Sequence, residues 1–350
     1  MAPRRPLIRH LAAPMASTMT TSPQNIFTAL PGLEIPVADV QSALAGMWES
    51  PAVPGQEPAE FRASQMNLII HLGRDATADD ALKAFEGALR FARRYPCRII
   101  LLCPEHKQRS DAVMTLKVFA ECYVGKTRRD RSCCEALLLA YPGSGQDFLE
   151  NQVSILLEND LPTYYWFHRF SEARNAGRYL SFLKVCKRIV YDSGLETPEV
   201  DEVEWPHPNR VRDLVDARLL PVRQSIGQFL SSFAPEGLAR DLQTLELCHA
   251  SPWAAEARVL AAWFRERLIA CAGKHAAESV PEVRLAPARE GAIPFALRCE
   301  YGDGRYFCWQ ADFQAGTGEI RARLDRGETV LPLSVRLLSL DRELAEAFFF

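Results

Sequence analysis

The chain has 350 residues, 48% hydrophobic and 24% charged, which is typical of a globular protein of about two domains. Its formal net charge of -3 excludes the strong basic field expected of a protein that binds nucleic acid or an anionic membrane surface. No apolar run approaches the roughly 20 residues needed to cross a bilayer.

Residues 1–32 are predicted to lie outside the folded domains. Arginines occur in this stretch, and no acidic residue precedes Glu34. Organelle transit peptides have this composition, and so do reading frames extended upstream of the true start. We favour an over-extended start, with Met15 or Met19 as the first residue, because no long amphipathic helix follows.

Residues 33–193 are predicted to form a wound α/β domain. The sequence predicts a helix at Pro36–Trp48, a strand at Met66–Leu72, a helix capped by Thr77, and strands at Arg98–Cys103 and Met114–Val124. The segment Arg131–Asp192 then has the pattern strand, helix, strand, helix, strand. Strands that alternate with helices pair in parallel, so this segment predicts one half of a wound sheet.

The composition changes after this segment. Residues 194–208 contain prolines, acidic residues and Trp205, and are predicted to be an inter-domain linker. Residues 209–350 are predicted to form an α+β domain. It has helices at Arg218–Phe233 and Trp253–Cys271, a strand at Leu242–Cys248 and an antiparallel meander from Glu282 to Leu337.

Catalytic and phosphate-binding motifs are weak. Gly143-Ser144-Gly145 lies between a strand and a helix, where backbone amides can hold a phosphate, but Phe148 replaces the third glycine of a dinucleotide fingerprint. Asp160, His168 and Asp192 lie near strand ends, and only the last two fall at carboxyl ends. We expect no catalytic constellation, no metal and no cofactor.

Ten cysteines are scattered along the chain without a C-x-x-C pair or zinc spacing. The pattern favours buried free thiols in a reducing cytoplasm. Cys133 and Cys134 are redox candidates, although adjacent strand residues point to opposite faces and cannot easily bond to each other.

A second cysteine pair depends on a hairpin. Asp303-Gly304 predicts a two-residue turn, which would place Cys299 directly opposite Cys308. Such pairs can have Cα atoms about 4.5 Å apart, so we expect two juxtaposed, mostly reduced thiols as a further redox candidate.

The aromatic run from Tyr164 to Phe167 is unusual for a central strand, because alternate side chains face opposite sides. It has two interpretations. In the first, the residues pack between the sheet and its helices; in the second, some of them emerge at the sheet edge as protein-binding anchors. The partner-binding candidates are Asp160, Pro162, Tyr164, Trp166 and His168.

Several short motifs occur together in a recognisable order. They are Tyr95-Pro96-Cys97-Arg98-Ile99-Ile100, Cys134-Glu135, Leu156-Leu157, Asp160-Leu161-Pro162 with Trp166, and Arg188-Ile189-Val190-Tyr191-Asp192-Ser193. Their order resembles the glucose-6-phosphate dehydrogenase assembly (OpcA) family. The resemblance is strongest from Tyr95 to Ser193, and it departs from the family where Phe167 and His168 replace a second Trp.

The resemblance implies a non-catalytic, cytoplasmic partner of glucose-6-phosphate dehydrogenase. Such a protein would act as an allosteric activator that promotes the active oligomer and supports NADPH supply by the oxidative pentose phosphate pathway. Two alternatives remain open at this point. One is an α/β enzyme or sensor that binds a sugar phosphate or nucleotide, and the other is a thiol-based regulator.

Overall fold

The computed structural model describes residues 26–49, 64–105, 114–124, 131–142, 146–170, 180–196, 200, 202–273, 280–325 and 327–350. The chain divides into two compact units. The first contains the described residues up to Tyr191 together with Leu195–Val211, and the second contains Asp192–Gly194 and Arg212–Phe350.

The first unit alternates helices and strands. Its helices are α1 (Ile26–Ala29), α2 (Val40–Glu49), α3 (Ala78–Ala92), α4 (Gln146–Leu156) and α5 (Leu180–Val185). Its strands are β1 (Leu33–Ile35), β2 (Met66–Leu72), β3 (Cys97–Glu105), β4 (Thr115–Val124), β5 (Arg131–Pro142), β6 (Thr163–His168) and β7 (Arg188–Tyr191), and β8 (Val211–Asp213) follows where the chain passes to the second unit. The predicted strand–helix alternation of this domain is confirmed.

The eight strands form one sheet in the order β1-β4-β5-β3-β2-β6-β7-β8. The five strands from β5 to β7 in this order are parallel to one another, and β4 and β1 add antiparallel pairs at one side. After β2 the chain crosses through α3 to β3, which lies on one side of β2 in the strand order. After β6 it crosses through α5 to β7, which lies in the opposite direction along the sheet. The winding therefore reverses between β2 and β6, which are adjacent.

Local sequence explains these elements. Every residue of β2 is buried, as expected of a strand covered on both faces of a parallel sheet. Thr77 caps α3 through a reciprocal box, because its hydroxyl accepts from Asp80 N at 3.1 Å and its own N–H donates to Asp80 Oδ2 at 3.0 Å. Apolar residues of α2, α4 and α5 pack together on one face of the sheet.

Two expected boundaries are wrong. Ile26, Phe27 and Leu30 are buried, so folded structure begins before residue 33. The segment expected to be a linker packs against the first unit, because Trp205 stacks on Tyr191 with ring centroids 6.1 Å apart and belongs to the edge of the same apolar cluster. Residues 1–25, which hold the proposed alternative starts, lie outside the described residues.

The second unit is α+β as predicted. Its helices are α6 (Leu214–Arg218), α7 (Leu220–Leu230), α8 (Pro235–Ala239), α9 (Ala254–Ala272) and α10 (Leu340–Phe349). Its strands are β9 (Leu242–His249), β10 (Arg284–Pro287), β11 (Phe295–Tyr301), β12 (Tyr306–Asp312), β13 (Thr317–Arg323) and β14 (Thr329–Ser334), in the order β10-β9-β11-β12-β13-β14. The meander from β11 to β14 is antiparallel, but β10 pairs in parallel with β9, contrary to expectation.

The predicted pairing of Cys299 with Cys308 is wrong by one residue. Cys299 lies opposite Phe307, while Cys308 lies opposite Arg298. The loop has three residues rather than two, because Tyr301 N donates to Arg305 O, and Gly304 adopts a φ of 82° that closes the longer turn. A one-residue change of register reverses the side-chain face, so the two thiols point to opposite faces of the sheet.

Across the portions of chain that the structure describes, no helix combines the length and apolar character needed to cross a membrane.

Candidate functional site

Asn67 holds the turn that precedes β6. Its side-chain oxygen accepts from Glu158 N at 3.0 Å, and its amide nitrogen donates to Glu158 O at 3.0 Å and to Leu161 O at 3.3 Å. Asn67 itself is fully buried in β2. Asn67, for which the sequence analysis predicted no role, therefore fixes the turn at residues 157–162 from inside the sheet.

Arg98 fixes the same turn from the neighbouring strand. Its Nε lies 2.5 Å from Glu135 Oε1, its Nη1 donates to Leu156 O at 2.9 Å, and its Nη2 pairs with Glu158. Arg98 and Glu135 are both almost completely buried. A buried charge needs a partner, so each of these side chains depends on the other. The motif residues that carried the family resemblance thus meet at the amino end of the parallel strands.

This end of the sheet presents a mixed surface. Asp160 and Pro162 are exposed on the turn, as the sequence analysis required of contact residues. Helices α4 and α5 both end at this edge, and each exposes one large apolar side chain there, Ile155 at 53% and Val185 at 69%. Exposed Lys184 and Lys187 flank Val185. We call the six residues Ile155, Asp160, Pro162, Lys184, Val185 and Lys187 the amino-edge surface.

Hydrogen bonds fix the α5 side of the amino-edge surface. Lys187 N donates to Thr163 O at 2.8 Å, which joins the start of β7 to the start of β6. Arg210 Nη1 donates to Cys186 O at 3.2 Å and to Lys184 O at 3.4 Å, so it satisfies carbonyl groups that the end of α5 leaves open. The surface is consequently attached to rigid backbone at both helix ends.

Tyr164, Trp166 and His168 do not form surface anchors. Their side chains are 2%, 1% and 5% exposed, because β6 is a central strand whose two faces are both covered. The ring of Trp166 meets that of His168 edge-on, with centroids 5.2 Å apart. The expectation that these three residues contact a partner directly is therefore wrong, and Asp160 and Pro162 remain predicted contacts.

The carboxyl ends of β2 and β6 are closed by the chain itself. In wound α/β sheets, ligands bind where the winding reverses, which is between these two strands. Here Gly73 N donates to His168 O at 2.7 Å, and a Cβ on Gly73 would lie 1.7 Å from Arg169 O, so only glycine permits this approach. Asp80 occupies the start of α3 and pairs with the Arg169 guanidinium at 3.1 Å.

A second carboxylate at this edge, that of Glu196, binds the backbone amides that follow β6. Glu196 Oε1 accepts from Arg169 N at 2.7 Å, and Glu196 Oε2 accepts from Phe170 N at 2.6 Å. The groups that would bind a ligand phosphate at this edge therefore already hold carboxylates of the same chain. The Gly143-Ser144-Gly145 turn, the other phosphate candidate, lies outside the described residues.

A buried polar cluster lies close to these strand ends. His71 of β2 has Tyr165 at Nδ1 and Tyr141 at Nε2, the latter with N and O 2.7 Å apart. Burial lowers the pKa of His71 to about 3, so the ring is neutral throughout the physiological range. A neutral imidazole donates to one phenol and accepts from the other, so both of its ring nitrogens are satisfied and the contact joins β2, β5 and β6. Because His71 is 0% exposed, it is a structural contact.

Asp192, the acid/base candidate after β7, belongs to an ion cluster in the second unit. Arg218 pairs with Asp192, with Glu256 at 2.9 Å and with Glu343 at 3.4 Å. Burial raises the pKa of Glu343 to about 8, although Arg218 opposes that change. Asp192 is 3% exposed, so the cluster joins α6, α9 and α10 and offers no accessible acid or base.

The cysteines of β4 and β5 also differ from expectation. Cys133 of β5 forms a disulfide with Cys122, which lies directly opposite on β4. The expectation of a free thiol at these two positions is therefore wrong. The sequence predicted both strands, and pairing them antiparallel in the observed register would have revealed that these two cysteines face each other. Cys134 points to the other face as a free thiol, and burial raises its pKa to about 12, so it is a poor nucleophile.

The comparisons with known proteins agree with the motifs in the first unit. Residues 88–204 match the family model described as "Glucose-6-phosphate dehydrogenase subunit N-terminal domain", which confirms the resemblance over the segment that contains the turn at residues 157–162. No curated protein matches the chain.

Solved structures offer distant likenesses. The chain is similar to a crystal structure of glucose-6-phosphate 1-dehydrogenase from Mycobacterium avium, with 11% identity, 82% of this chain and 87% of that chain covered, and a TM-score of 0.44. It is also similar to aldose-aldose oxidoreductase from Caulobacter crescentus, with 8% identity, 81% and 88% covered, and a TM-score of 0.35. Both TM-scores are too low to support a conclusion about this chain.

Proposed function

We propose that the protein is a non-catalytic partner of glucose-6-phosphate dehydrogenase that favours its active assembly, because residues 88–204 match the model of the glucose-6-phosphate dehydrogenase assembly (OpcA) family. In this role it supports NADPH supply by the oxidative pentose phosphate pathway. The observation that carries the proposal is the family match, whose span includes the buried pair Arg98–Glu135 and the turn at residues 157–162.

A non-catalytic role is consistent with the carboxyl edge of the sheet. The described residues at the reversal of winding pair with each other: Asp80 with Arg169, and Glu196 with two backbone amides. Dinucleotide enzymes of wound α/β type leave these positions open to the pyrophosphate. The edge therefore lacks the open position that a dinucleotide oxidoreductase presents to its cofactor, which favours a binding protein over that class of enzyme.

The amino-edge surface is our proposed contact with the dehydrogenase. It combines two exposed apolar side chains with Pro162 and with the cations Lys184 and Lys187. Apolar anchors supply most of the binding free energy of an interface, whereas charges at the rim set orientation and association rate. Such a surface fits a partner face that is apolar at its centre and acidic on one side.

Activation needs a difference in affinity. A protein that binds active and inactive assemblies equally well shifts no equilibrium, however tight the binding is. The contact must therefore include groups that only the active assembly brings together. We expect the turn with Asp160 and Pro162 to make that discriminating contact, because its backbone is fixed before binding.

Mixing purified components tests the proposal. The full chain and the dehydrogenase from the same host are combined, and the mass of the complex and the dehydrogenase rate are measured. We expect co-elution, an increased share of the active oligomer and a higher rate at equal enzyme concentration. The absence of both co-elution and any change of rate would refute the proposed function.

The competing interpretation is a sensor of a sugar phosphate or nucleotide. A thermal-shift screen of the full chain without the dehydrogenase distinguishes the two, because a ligand that binds only the folded state raises the melting temperature. Strong stabilisation by a nucleotide or sugar phosphate, together with no dehydrogenase binding, would favour the sensor.

A further inference from the structure

Two successive backbone amides at the end of β6 hold both oxygens of one carboxylate. Arg169 N and Phe170 N each donate to a different oxygen of Glu196, at 2.7 Å and 2.6 Å. Arg169 has a φ of 62°, in the left-handed region that a bulky residue seldom adopts. A left-handed residue in such a turn directs neighbouring N–H groups to one point and forms an anion-binding concavity.

The position of this concavity in the fold supports an oxyanion ligand. It lies where the winding of the sheet reverses, at the edge where open α/β sheets bind their ligands. The Arg169 guanidinium lies beside it, 3.1 Å from Asp80 Oδ1. Gly73 packs against the Arg169 backbone and keeps the turn in position.

Glu196 can leave this position without breaking the sheet. It belongs to the segment after β7 rather than to any strand, and its side chain is partly exposed. Its attachment to the same chain raises its effective concentration at the amides to roughly the millimolar range, so it excludes weak free anions. Glu196 thus has the properties of an internal, displaceable ligand.

We propose that the amides of Arg169 and Phe170 form an oxyanion-binding site that Glu196 occupies and that the phosphate group of a small ligand displaces. A phosphate presents two oxygens with the spacing that the two amides already satisfy, and it carries more negative charge than a carboxylate. This site is independent of the amino-edge surface, which lies at the opposite ends of the same strands.

Removal of Glu196 tests the proposal with inorganic phosphate as the probe. The full chain, Glu196→Ala and the control Glu202→Ala are titrated with phosphate, with sodium chloride at matched ionic strength as the reference. Glu202 is exposed in the same segment, so its replacement removes the same charge without emptying the site. Melting temperature and the amide NMR signals of Arg169 and Phe170 are recorded.

We expect Glu196→Ala to bind phosphate at least 10-fold more tightly than the unmodified chain and Glu202→Ala, with shifts at Arg169 and Phe170. Equal binding by all three proteins would mean an adventitious ion elsewhere and would overturn the proposal. Folded Glu196→Ala without phosphate-dependent shifts would also overturn it. If Glu196→Ala does not fold, Glu196→Gln is used, because it keeps one acceptor oxygen and loses the charge that repels phosphate.

Discussion

Arg98 and Glu135 lie directly opposite each other on two parallel strands and form a buried ion pair. Arg98 also binds Leu156 O and Glu158, so the pair connects β3 and β5 to the turn at residues 157–162, which we place at the partner contact. Three motifs separated in the sequence are thereby one structural unit. The network explains why the motifs occur together, because the buried Arg98 charge of one motif depends on groups that the other two motifs supply.

Loss of Arg98 should therefore be costly. Arg98→Met removes the buried positive charge that lies opposite the Glu135 carboxylate, and we expect the free energy of unfolding to fall by about 3–5 kcal/mol. The double variant Arg98→Met with Glu135→Leu should recover much of that loss, because both charges are gone. Urea unfolding measures both changes. Arg90→Ala, which breaks an exposed pair with Glu86, is the control and should cost less than about 1 kcal/mol.

Trp166 is expected to act through stability. Trp166→Ala opens a cavity at the centre of the sheet and should lower the free energy of unfolding by about 3–5 kcal/mol. Among the described residues its indole N–H has no hydrogen-bond acceptor, so Trp166→Phe should cost clearly less. Urea unfolding is the measurement. A Trp166→Ala protein that keeps full stability but fails to bind the dehydrogenase would restore Trp166 as a direct contact.

The Cys122–Cys133 disulfide should stabilise the β4–β5 pair. It closes a short loop, with a sequence separation of 11, and chain entropy gives about 2–3 kcal/mol for a loop of that size. Dithiothreitol should lower the urea midpoint of the unmodified chain by a corresponding amount. The double variant Cys122→Ser with Cys133→Ser should start at the lower midpoint and not respond. An equal response of this variant to the reductant would assign the effect to other cysteines.

Glu343 predicts a pH dependence of stability. Burial raises its pKa in the folded protein to about 8 from the ordinary value of 4.5, and Arg218, Asp192 and Glu256 are the charged groups around it. Between these two pKa values the folded protein holds a proton on Glu343 that the unfolded chain releases. The contribution of Glu343 to the free energy of unfolding is therefore largest below about pH 4.5 and falls as the pH rises towards 8. Glu343→Gln should flatten that part of the curve. Urea unfolding from pH 5 to pH 8.5 measures it, and an unchanged slope in Glu343→Gln would contradict the assignment.

The sequence was sufficient for the main elements of both units because their signals are local. Thr77 and Asp80 cap a helix through residues three apart, and the strands of the parallel sheet are continuous apolar runs. The parts that sequence reasoning missed depend on distant residues. Glu196 meets Arg169 and Phe170, and Asn67 meets Glu158, only after the sheet is assembled. The hairpin register failed for a different reason: the glycine turn could close over either two or three residues.

Some features of the candidate contact residues could be predicted from the sequence, and others depend on the assembled fold. Asp160 and Pro162 lie on the surface, as a contact requires, but alternation along β6 could not reveal that both faces of that strand are covered. The exposed apolar pair, Ile155 and Val185, follows from the ends of α4 and α5 meeting at one edge of the sheet. No local pattern distinguishes these two residues from ordinary core positions.

The most direct test of the account is the affinity of the dehydrogenase for a variant of the amino-edge surface, measured by titration. Ile155→Glu with Val185→Glu should weaken binding at least 10-fold, or about 1.4 kcal/mol, and reduce activation, with the protein still folded by circular dichroism. The control is Val330→Glu in the second unit, whose side chain is 52% exposed compared with 53% for Ile155. We predict unchanged affinity for the control. Full affinity of the double variant, or loss of affinity in Val330→Glu instead, would contradict the amino-edge surface as the contact.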